Sequence, residues 1–124
     1  MSSNDIERWP ATAPGRSRTV AHGGLVWTVA NATDPSTATD FPAQVTQTLA
    51  ALDAHLTEAG TSRERLLSVQ VLLASLAMKS AFDELWVEWI GPDPAHWPQR
   101  ACVEGKPAPG LMIEISAVAS RGGP

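Results

Sequence analysis

A single cysteine is all the thiol the chain carries, so no disulfide can form within it and nothing points to an oxidising compartment. Basic runs are also missing. Nine Lys and Arg stand against thirteen Asp and Glu, a formal net charge of -4, which leaves no stripe of cations to neutralise phosphates and argues against a nucleic-acid partner. No apolar run approaches the roughly 20 residues of a membrane span, so no membrane partner is expected. The opening Met1-Ser2-Ser3-Asn4-Asp5 is polar with an early acid and has no signal-peptide pattern. A cytoplasmic location is the expectation. Metal-site spacing is absent: His22, His55 and His96 are scattered, so no metal is expected. What is present is an ordinary globular composition, 44% hydrophobic and 18% charged over 124 residues, enough for one core and too little for two. One domain over residues 1–124 is expected, with 1–17 as a peripheral N-terminal segment.

The order of elements follows from periodicity. Ile6 to Trp9 reads as a short edge strand, followed by a turn at Pro14-Gly15. Arg18 to His22 and Leu25 to Ala30 are strand-like and joined by Gly23-Gly24, a hairpin signal. Asn31 to Thr39 reads as a loop. Asp40 suits a helix N-cap, Pro42 is tolerated in the first turn, and Val45, Leu49, Leu52 and Leu56 form an amphipathic stripe that Gly60 ends. Leu67, Val69, Val71 and Leu73 alternate with Ser68 and Gln70 as a strand. A second helix is expected from Met78 to Ile90, burying Met78, Phe82, Leu85 and Trp89, with Trp86 beside them and Gly91-Pro92 as the stop.

Two alternating segments remain. In Gln99-Arg100-Ala101-Cys102-Val103-Glu104, the residues Arg100, Cys102 and Glu104 share one face. In Ile113-Glu114-Ile115-Ser116-Ala117, the residues Glu114 and Ser116 lie opposite an apolar face. As neighbouring strands these would gather an arginine, a thiol and carboxylates. A guanidinium held by a sheet is a natural clamp for a small carboxylate. The alternative for Arg100 is a structural ion pair with Glu104 or Glu114. The fold class expected is α+β in the order β-β-β-α-β-α-β-β, a mixed sheet covered on one face by two helices. Its uncovered face suits a subunit interface.

The chain resembles the RidA (YjgF-type) family of imine and enamine deaminases over roughly Thr19 to Ala119. Arg100-Ala101-Cys102-Val103-Glu104 is similar to the family's Arg-x-Cys-Val-Glu stretch, and Ile113-Glu114-Ile115-Ser116-Ala117-Val118-Ala119 to its closing acidic strand. Val71-Leu72-Leu73-Ala74 with Phe82-Asp83-Glu84-Leu85-Trp86, and Leu56-Thr57-Glu58-Ala59-Gly60, are similar to its central strand and helices. The resemblance implies a chorismate mutase-like (bacillus-type) fold and a homotrimer with sites at subunit interfaces. It implies hydrolysis of 2-imino or enamino acids to 2-keto acids and ammonia, without a cofactor. Arg100 would bind the substrate carboxylate, Cys102 would lie beside it, and Glu114 would orient the hydrolytic water.

The chain also departs from the family. No tyrosine occurs anywhere in it, and Gly15-Arg16-Ser17-Arg18 stands where members often have Gly-Pro-Tyr-Ser. Val29-Ala30-Asn31 replaces Ser-Gly-Gln. A divergent subgroup with an altered pocket is implied, with Ser17 and Asn31 lining it. The competing reading is a non-catalytic trimeric module that binds a small carboxylate or a protein partner. An endoribonuclease role, an old label of the family, is disfavoured by the acidic charge and the lack of a paired histidine base. His55 and Asp83-Glu84 read as solvated helix-face residues, Trp86 and Trp89 as core, and Trp27 as facing either core or site. Cys102 reads as a small buried hydrophobe, with a reactive thiol as the alternative if Arg100 lowers its pKa.

Overall fold

The computed structural model describes residues 5–121. The ends of the expected 1–124 domain, and the first four residues of its N-terminal segment, lie outside the described residues.

Glycine and proline set the boundaries. Strand β1 (Glu7–Pro10) pairs antiparallel with β2 (Ser17–His22), which turns into β3 (Leu25–Ala30) through Gly23 and Gly24. Both glycines have positive φ, 60° and 84°, as a tight two-residue hairpin turn requires. Helix α1 (Phe41–Glu58) is capped by the Asp40 carboxylate, which accepts from the Ala43 N–H at 3.0 Å. The chain leaves α1 at Gly60, where φ is 83° and a side chain would be strained. Strand β4 (Leu66–Leu73) leads into α2 (Lys79–Ile90), then β5 (Gln99–Glu104) and β6 (Ile113–Ser120).

The six strands form one mixed sheet in the order β1-β2-β3-β6-β4-β5. The β4-α2-β5 crossover makes β5 parallel to β4 and leaves it on the outer edge. The other side of β4 is taken by β6, antiparallel to both β4 and β3. This corrects one expectation: β5 and β6 are not neighbours, because β4 lies between them.

Both helices cover one face. Val26, Val69, Val71, Leu73, Ile113 and Ile115 from the sheet meet Val45, Leu49, Leu52, Leu56, Phe82 and Trp86 from the helices. The α2 stripe differs slightly from expectation. Phe82, Trp86 and Ile90 are buried, Leu85 and Trp89 are half-buried, and Met78 sits in a short turn before the helix. Leu67 also departs, because an irregularity between Leu66 and Ser68 in the pairing with β6 puts Leu66 in the core and leaves Leu67 48% exposed.

Two polar residues extend the α1 stripe. Thr48 bonds back to the Gln44 carbonyl, and Gln44 is fully buried. Its Nε2 donates to the Gly110 and Thr37 carbonyls, and its Oε1 accepts from the Met112 N–H. One side chain thus pins the loop before β6 to α1. Gln44→Ala strips buried backbone groups of their partners and is expected to cost about 2–3 kcal/mol in urea unfolding.

Candidate functional site

The sheet pleat sorts the candidate residues onto two faces. Arg100 pairs with Val69 and Cys102 with Val71 in the β4–β5 register, so both share the helix-covered side. Glu114 pairs with Leu72 and Ser116 with Gln70, on the opposite, uncovered side. Asn31 follows β3 one residue past the Ala30–Ile115 pair, at the level of Glu114. Ser17 lines a concavity of about 390 Å³ on the uncovered side, with Arg18, Trp27, Val29 and Gln70. Within one chain, then, Arg100 and Cys102 stand together, Glu114 and Ser17 belong to the other face, and Asn31 lies in the segment that follows β3.

The Arg100 guanidinium is closely held. It lies over the Phe82 and Trp86 rings, 5.3 and 5.5 Å from their centroids. Its Nη2 donates to Asp83 Oδ1 at 2.6 Å, while Lys79 Nζ donates to Asp83 Oδ2 at 2.8 Å. Arg100 therefore has an ion pair, but with Asp83 rather than Glu104 or Glu114. The Glu104 carboxylate instead accepts from the Leu76 N–H at 2.8 Å. Asp83, read from the sequence as solvated, is half-buried between two cations. Burial pulls its carboxyl upward, but the hydrogen bonds and charges of Lys79 and Arg100 outweigh that and hold it below the usual range. No partner among the described residues takes Arg100 Nε or Nη1. The side chain keeps 20% of its surface exposed, so that part of the guanidinium can receive a carboxylate.

Cys102 packs against the core beside Arg100. Burial pushes its thiol up; Arg100 and Lys79 pull it down, but not far enough to reverse the shift. A thiol that stays protonated at neutral pH is a poor nucleophile. Among the described residues, no group of three His, Cys, Asp or Glu side chains could hold a metal ion.

His55 corrects another expectation. It is half-buried between α1 and β3, with Nδ1 3.1 Å from the Thr28 hydroxyl, which in turn lies 2.8 Å from the Thr19 hydroxyl. Burial lowers its pKa and nearby Arg18 adds to this, outweighing Glu58 and a backbone hydrogen bond at Val29. A histidine kept neutral in the fold contributes stability that is fully present above its ordinary value near 6.5 and is lost as pH falls through its lowered folded pKa. The melting temperature should therefore drop on acidification from neutral pH, and His55→Gln should flatten that part of the profile.

Trp27 is resolved as well: it faces the uncovered side, 41% exposed. With Val29, Val103 and Leu67 it gives that face large apolar groups that neither helix reaches.

The sequence model described as Endoribonuclease L-PSP matches residues 9–121, nearly the whole chain. The chain belongs to this family, which includes the RidA and YjgF proteins. A RutC family protein of Haemophilus ducreyi is 33% identical over 78 residues, 62% of this chain and 65% of that protein. The chain thus spans a little under two thirds of that curated relative. Among solved structures, an uncharacterised protein from Pseudomonas aeruginosa is 30% identical, with a TM-score of 0.83 over 95% of this chain and all of that one. A YjgF-family member from Neisseria meningitidis is 26% identical, with a TM-score of 0.85 over 99% of this chain and all of that one. The family's chorismate mutase-like α+β fold is thus the fold of this chain, and none of its described helices is long and apolar enough to cross a membrane.

Two features near the site escaped the sequence reading. Asp83 is one helical turn from Lys79, and that i,i+4 spacing was the available signal. The Thr19–Thr28–His55 chain had none, since it joins residues from three elements.

Proposed function

We propose that this protein is a cytoplasmic homotrimer that hydrolyses small 2-imino or enamino acids to 2-keto acids and ammonia, at sites shared between subunits. The observation that carries this reading is the Arg100 guanidinium: fixed by two rings and one carboxylate oxygen, yet with Nε and Nη1 uncommitted. That is a preorganised carboxylate clamp. The uncovered apolar sheet face supports the assembly, since large exposed apolar groups on one face favour burial against another copy. Because Arg100 and Glu114 occupy opposite faces of one sheet, they can act on one ligand only if Glu114 comes from the partner subunit.

The chemistry is simple. With the carboxylate on Arg100, the imine carbon is held near a water. Glu114 of the partner subunit accepts a proton as the water oxygen bonds to that carbon, giving a carbinolamine. Glu114 returns that proton to the nitrogen, then takes the carbinolamine hydroxyl proton and delivers it to the same nitrogen as the C–N bond breaks, so that ammonia leaves and the C=O of the 2-keto acid forms. Ser17 on the Glu114 side, Asn31 just past β3, and Cys102 beside Arg100, form the walls. No cofactor enters this scheme.

The test is competition. An amino-acid oxidase generates 2-iminopropionate in the presence of semicarbazide, and the protein should lower the initial rate of semicarbazone formation by diverting the imine to pyruvate, which condenses more slowly. The missing tyrosine favours a second reading, a carboxylate-binding module without turnover. Saturable 2-keto acid binding with no diversion over a panel of imino acids would select it. Native mass should be three times the 13.1 kDa of the chain; a monomer would remove the shared site.

A further inference from the structure

The two cations around Asp83 are not equivalent. Asp83 could place both oxygens on the Arg100 fork, the geometry a carboxylate prefers with a guanidinium. It does not: Oδ1 is on Arg100 Nη2, and Oδ2 is drawn away by Lys79 Nζ, one helical turn earlier on α2. An intrachain carboxylate already touching the clamp is the nearest competitor a substrate carboxylate would meet. The group that holds its second oxygen, and so leaves it one hydrogen bond to the clamp, is the Lys79 ammonium.

We infer that Lys79 is a positioning residue of the carboxylate site: by holding Asp83 Oδ2 it keeps Asp83 from closing bidentately on Arg100, and so keeps the guanidinium open to an incoming carboxylate. The inference rests on the reading of Arg100 as the clamp. Charge agrees with it. Lys79, Asp83 and Arg100 together carry one net positive charge, which one substrate carboxylate neutralises without displacing Asp83. Phe82 and Trp86 fix the guanidinium plane independently, so the orientation of the clamp does not need a second Asp83 oxygen.

Binding of a stable 2-keto acid, pyruvate or 2-oxobutyrate, to the intact oligomer by calorimetry tests this. In Lys79→Met the freed Asp83 occupies the clamp for most of the time, and the apparent Kd should rise about five- to ten-fold, in proportion to the lost fraction of open sites. In turnover the loss should appear in KM, with kcat little changed. Adding Asp83→Asn should restore wild-type affinity, because an amide is a weak competitor for the guanidinium. Unchanged affinity in Lys79→Met overturns the inference. So does a double variant as weak as Lys79→Met, which would mean that Lys79 touches the ligand itself. If wild type and Arg100→Met bind the keto acids equally, or neither binds, the clamp reading fails and takes this inference with it.

Discussion

Arg100→Ala is expected to lower kcat/KM for 2-imino acids by about 100-fold or more while leaving the native mass unchanged. A small imino acid offers few handles, and its carboxylate is the strongest of them. Removing a charge-assisted, two-point contact leaves the imine carbon free to rotate away from the water that must reach it. Arg100→Lys should recover only part of the loss, because an ammonium supplies the charge without the planar fork. The fold should survive both changes. Asp83 keeps its Lys79 partner at 2.8 Å, so no carboxylate is stranded, and Phe82 remains buried by its other neighbours. Turnover by Arg100→Ala within a few-fold of wild type would return Arg100 to the role of a structural ion pair. Loss of the oligomer would assign it to the interface instead.

Most of the fold was legible because it is local. Gly23-Gly24, Asp40, Gly60 and Gly91 each mark a boundary where backbone geometry or a cap demands that residue type. The 3.6-residue stripe of α1 needed only its polar members, Gln44 and Thr48, which no hydrophobic pattern can find because they are buried through hydrogen bonds. Leu67 failed for a related reason: a register irregularity shifts its alternation by one residue, and the run Leu66-Leu67 gives no sign of where the irregularity falls. The grouping of the candidate residues along each strand was legible, and their placement across the sheet was not. Alternation correctly grouped Arg100 with Cys102, and Glu114 with Ser116. It could not show that β4 would separate the two strands, nor that the two polar sets would face opposite sides, because strand order is a long-range property. Asp83 was lost to the assumption that an acid on an amphipathic helix faces water. Its position directly after Phe82, whose ring lies under Arg100, decides otherwise.

The separation of Arg100 from Glu114 makes the second large effect a test of assembly as well as chemistry. Arg100→Ala and Glu114→Gln homo-oligomers should each be nearly inactive. Mixed by co-expression or by unfolding and refolding together, they should regain activity. In the proposed ring of three, each site would take its arginine from one chain and its glutamate from the next. A site is therefore whole when a Glu114→Gln chain, which keeps Arg100, is followed by an Arg100→Ala chain, which keeps Glu114. With equal amounts and random assembly, about one quarter of the sites are whole, so about a quarter of wild-type turnover should return. No arrangement in which both groups come from the same chain allows this, because every chain in the mixture lacks one of them. Recovery near a quarter requires sites built across an interface. If each homo-oligomer is inactive and the mixture stays inactive, Arg100 and Glu114 work within one chain, which the opposed faces of its sheet forbid without a rearranged strand. If Glu114→Gln alone keeps full turnover, the water is positioned by some other group, and the open face of the sheet serves assembly alone.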